Sequence, residues 1–176
     1  MKDRSSIRTH LAEQVAREVA DAFERFALAR KGETITALAL CSVDDAVPPY
    51  GMGGTLSNIG PITGKQSTWH ADPADWSWAD PVRCYDFEEI IGEILDDNNR
   101  PFEERAEDIF EGMVGGLKRF DGSGKFRGTL PREQMLLMLW IHDPLPINSA
   151  RVMRWVAQLN PPAVSQWFNA VYPYRN

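Results

Sequence analysis

Gln134-Met-Leu-Leu-Met-Leu-Trp-Ile-His142 is apolar at every position between its polar ends, and its reading decides the fold. It is too short and too poorly capped for a free helix, so it is expected to be a buried strand ended by Asp143-Pro144. A second stretch of the same kind, Thr34-Ile-Thr-Ala-Leu-Ala-Leu-Cys-Ser42, carries small or branched apolar residues at both odd and even positions. That pattern fits a central strand covered on two sides. Helices surround both. Ser5 and Ser6 can cap a helix over 6–30 whose apolar residues Leu11, Val15, Val19, Ala22, Phe23 and Phe26 recur at three and four positions, with Gly32 as the stop.

Asp72-Pro73-Ala74-Asp75 combines a cap, a proline at the first helical position and an early acid, which predicts a short helix carrying Trp76 and Trp78. Asp86 and Glu89 form a capping pair for a helix through Ile90, Ile91, Ile94 and Leu95. Asn99 and Pro101 restart a longer one with Phe102, Ala106, Ile109, Phe110, Met113, Val114, Leu117 and Phe120 inward, stopped by Asp121-Gly-Ser-Gly124. Ser149 opens a helix that turns Val152, Trp155, Val156 and Leu159 to the core, and Asn160-Pro161 caps a last one with Val164, Trp167, Phe168 and Val171. Pro48-Pro49 bar a continuous ladder, and five glycines between Gly51 and Gly64 predict a loop interrupted at most by a short strand. Helices outnumber strands without regular alternation. The expected architecture is α+β, a small mostly antiparallel or mixed sheet packed by five to six helices in a single globular domain over residues 1–176.

A chain of 176 residues with 43% hydrophobic and 25% charged residues excludes disordered and collagen-like classes. The longest uncharged apolar run, Met135 to Ile141, is far short of a membrane span, and the N-terminus lacks a signal-peptide core. Cys41 and Cys84 stand 43 positions apart without ligand-spaced partners, so neither zinc nor a disulfide framework is indicated, and a cytoplasmic protein is expected.

The order of these features resembles the bacterial domain of unknown function family 4303. The residues that carry the likeness are Ala22-Phe-Glu-Arg-Phe26, Ile35 to Leu40 closing on Asp44-Asp45, Trp69 to Trp76, Ile141-His-Asp143, Ser149-Ala150 and Leu159-Asn-Pro161. The Gly- and Pro-rich stretch 48–64 departs from the family pattern. The resemblance implies a fold and a bacterial cytoplasmic setting, and no catalytic residues. By analogy it also brings in immunity proteins that neutralise a toxin.

Motifs for chemistry are incomplete. Gly60-Pro-Ile-Thr-Gly64-Lys65-Gln66 has three residues between its glycines, where a phosphate loop needs four, and Gln where magnesium needs Ser or Thr. Gly51-Met-Gly53-Gly54 lacks the third glycine of a dinucleotide fingerprint. Asp121-Gly-Ser-Gly-Lys125-Phe126 puts a cation and a phenylalanine where a calcium loop needs a ligand and a turn, so a helix stop explains it better. Ser67 and Ser77 near His70 have no nucleophile elbow. No cofactor and no metal is expected. His142-Asp143 at a strand exit, with His70 as an acid–base group, marks an alternative pocket beside the 51–64 loop, suited to a small enzyme or ligand-binding domain.

Charge is the stronger signal. Residues 72–111 hold fourteen acids and three arginines, a net of −11 within a chain of net −6. Such a segment repels nucleic acid and attracts basic surfaces. The alternative is that two amphipathic helices show solvated faces. The leading expectation is a non-enzymatic binding protein, in its most concrete form an immunity-type inhibitor. Its face would comprise Trp76, Trp78, Asp86, Glu89, Glu93, Asp96 and Asp97 and would take a basic protein partner such as a toxin domain, with no nucleic acid and no membrane. A homo-oligomeric accessory protein is the third reading.

Overall fold

The computed structural model describes residues 4–44, 46, 49–62, 71–76, 78–81, 85–127, 130–143 and 145–172, with the backbone alone for 80, 81 and 85–87. Both buried strands form. β1 (Ile35–Ser42) and β4 (Leu136–Ile141) are buried along their whole length and pair in parallel, Ala37 opposite Leu136 through Ser42 opposite Ile141. β2 (Tyr50–Thr55) lies antiparallel on the other side of β1, and β3 (Trp78–Pro81) is antiparallel to β2, giving a mixed sheet of order β3-β2-β1-β4. Six helices accompany it among the described residues, and the fold is α+β.

Strand alternation divides the core into two layers. Leu38 and Leu40 of β1 with Leu137, Leu139 and Ile141 of β4 face α1 (Arg4–Ala29), α3 (Tyr85–Leu95) and α4 (Phe102–Gly122). Ala37, Ala39, Cys41, Leu136, Met138 and Trp140 face the other way, onto α2 (Leu56–Ile59) and α6 (Pro162–Val171). α5 (Pro146–Leu159) lies along β4 and serves both layers, Trp155 and Leu159 going to the first and Val152 and Val156 to the second. A register shift between Ile35 and Ala37 lets Ile35 share a face with Leu38. Trp140, Trp155 and Trp167 are core residues, as their inward positions predict.

Three local expectations are corrected. The first part of the Gly-rich stretch is a full strand followed by a helical turn, because its glycines fit the layers that close over it. A Cβ on Gly53 would collide with the Phe26 ring, and one on Gly54 would lie 2.6 Å from Ile59 Cδ1. Residues 63–68 lie outside the described residues, as do His70, Trp69, Ser77 and Cys84. The Asp72-Pro73 start is real, Asp72 accepting from the Ala74 amide at 3.0 Å, but it opens only a 3₁₀ turn over Pro73–Asp75. Trp76 and Trp78 do not ride on a helix, since β2 offers an unpaired edge and Trp78 joins it opposite Gly53. α5 begins at Pro146, with Ser149 already inside its first turn. At the other end the Asp121–Gly124 stop holds, Gly124 taking a φ of 75°.

The outer edge of β4 is satisfied at Leu137 by one side chain. Asn160, just past α5, accepts from the Leu137 amide at 2.9 Å and donates to the Leu137 carbonyl at 2.7 Å, as a neighbouring strand would. Its amide also donates to the Val156 carbonyl at 2.9 Å, and Arg132 donates to its oxygen at 3.1 Å. One asparagine therefore caps α5 and satisfies the Leu137 backbone groups that would otherwise be open to further pairing.

Candidate functional site

The acids that the sequence singles out divide into two groups. Asp108, one of the fourteen acids of the segment, is buried, 2% exposed. Arg4 and Arg8 of α1 and Arg100 of the α3–α4 turn all donate to it, Arg4 Nε at 2.9 Å and Arg100 Nη1 at 2.5 Å. Burial alone would raise its pKa; the hydrogen bonds from Arg4, Arg100 and Arg8 outweigh that and bring it down to about 2. Glu107 holds Arg151 at 3.0 Å and also Arg154, while Glu111 accepts from Arg154 at 3.0 Å and from the Trp155 indole at 3.3 Å. Asp97 holds Arg100 at 2.8 Å, and that hydrogen bond is the main cause of its lowered pKa. Arginines from outside the acidic segment thus neutralise part of it. Glu88, Glu89, Asp96, Glu103 and Glu104 stay exposed.

Of the seven residues expected to form one face, three meet at a groove. Glu93, Asp96 and Asp97 line it together with Asn99, Arg100, Arg4 and Ile7; its volume is about 660 Å³. Glu89 is exposed one helical turn before Glu93 on α3, and Asp86 lies in α3 with its side chain outside the description. The tryptophans are elsewhere. Trp76 is 5% exposed and packs in the layer of Cys41 and Trp140. Trp78 goes to the opposite layer, where its ring stacks on Phe26 with centroids 4.7 Å apart. Two residues apart in sequence, they part because Trp76 ends the 3₁₀ turn before the strand begins, while Trp78 is the first residue of β3. The apolar residue that lines the groove with these acids is Ile7, and a more exposed one, Phe102, stands at the start of α4, 41% exposed, followed by Glu103 and Glu104 and with the Arg105 guanidinium 5.9 Å from its ring centroid. The helical period assigned Phe102 to the inner face. Its place at the first residue of α4, before the helix reaches the core, releases it; that terminal position is the signal by which it could have been found.

A second cluster forms where the parallel strands β1 and β4 end. The Tyr50 hydroxyl is hydrogen-bonded to His142 Nε2, and the two rings are nearly parallel at 10°. Cys41 pairs with Tyr50 on one side and Trp140 on the other and is completely buried. Burial pushes its thiol well up, with the Asp72 charge adding to this, so it stays protonated and is no nucleophile. Burial also raises the Tyr50 phenol, and it lowers the His142 imidazole against an opposing pull from Asp72. At neutral pH the pair is therefore a protonated phenol hydrogen-bonded to a neutral imidazole. Asp143 is half-buried beside it, its carbonyl accepting from the Asn148 amide at 3.2 Å, and Leu145 and Ile147 are exposed at the start of α5. His70, expected in this pocket, lies outside the described residues. Tyr50 was not found from sequence, because only the β1–β2 register brings it to His142.

Among the described residues no group of three or more His, Cys, Asp or Glu side chains is placed to hold a metal ion. No helix among them is long and apolar enough to cross a membrane. Comparison with known proteins gives no relative from which a role could be carried over: no family model, curated protein or solved structure matches the chain.

Proposed function

We propose that this is a binding protein that takes a basic protein surface at the groove between α1 and the α3–α4 turn. The observation that supports this is the meeting of Glu93, Asp96 and Asp97 in one groove, with exposed Glu89 upstream and exposed Phe102, Glu103 and Glu104 downstream. Carboxylates around an apolar contact steer a cationic partner and raise its association rate, while the apolar group holds it once docked. Phe102 replaces the tryptophans as the anchor of this reading. An immunity-type inhibitor of a basic toxin domain is its most specific form. The test combines charge and anchor variants. Asp96→Asn with Glu89→Gln should slow association with the cognate basic protein several-fold at low salt and little at high salt. Phe102→Ala should speed dissociation, at a cost of about 2 kcal/mol. Equal capture and equal kinetics by wild type and both variants would remove the proposal.

The Tyr50–His142 pair favours a second reading, a ligand-binding or acid–base site at the strand ends. A neutral imidazole is a proton acceptor for a bound group, with the Tyr50 hydroxyl holding its ring in place. Here the His142 imidazole should titrate below the ordinary histidine range in an NMR pH series, because burial disfavours its charged form. Ordinary titration would leave this reading without support.

A further inference from the structure

We draw no further inference here: the strongest candidate, the groove of Ser6, Ile7, His10, Glu13, Ile90 and Glu93 between α1 and α3, belongs to the site already described, with which it shares Ile7 and Glu93.

Discussion

Asp108→Asn is expected to destabilise the protein by about 3 kcal/mol at neutral pH, because it leaves three guanidiniums around a buried group without charge. The figure stands at the lower end for a broken buried pair, since Arg4 and Arg8 reach water and can turn away. The loss should also change the acid response. The folded-state pKa of Asp108 is about 2 against an ordinary value of 3.8, so its contribution is complete above the ordinary value and is lost as pH falls through about 2. That contribution is about 2 kcal/mol. Urea unfolding measured stepwise from pH 6 to pH 2 should show the wild type losing this stability across the lower part of the range, with a flatter curve for the variant. Parallel curves would show that Asp108 is not the linked group.

The second large effect concerns the α1–α4 crossing. Gly112 and Gly116 share one face of α4, and a Cβ on Gly116 would stand 2.5 Å from Val15 Cβ and 2.9 Å from the Ala12 carbonyl oxygen. A side chain can rotate away, but a helix backbone oxygen cannot. Gly116→Val should therefore push the helices apart and cost about 3 kcal/mol, more than helix propensity could return. Gly92→Ala provides the contrast. It lies inside α3 with open space where its Cβ would go, so the same kind of change should stabilise by about 0.5–1 kcal/mol. Thermal melts of both variants decide the matter: equal effects would mean that glycine's backbone freedom, and not the close approach, governs position 116.

Arg4, Arg8 and Asp108 also show why a charge count along the chain misjudged the acidic segment. Summed residue by residue, 72–111 is a block of negative potential. Folding brings Arg4, Arg8, Arg151 and Arg154 onto its carboxylates and leaves a smaller set facing outward. The expected face loses Trp76 and Trp78 to the two core layers, and Glu93, Asp96 and Asp97 are the members of it that line the groove.

Periodicity and burial patterning were enough to read α1, α4, the two central strands and the inward tryptophans of β4, α5 and α6, because each depends on one residue's fit to its own element. Tertiary packing alone decided which way Trp76 and Trp78 went, that Gly51 to Thr55 would pair as a strand, and that Tyr50 would meet His142. It also turned Asn160 into a substitute strand and Asp108 into a buried hub. Those outcomes rest on groups far apart in the chain, up to 104 positions for Arg4 and Asp108, and their energies exist only once the layers have closed.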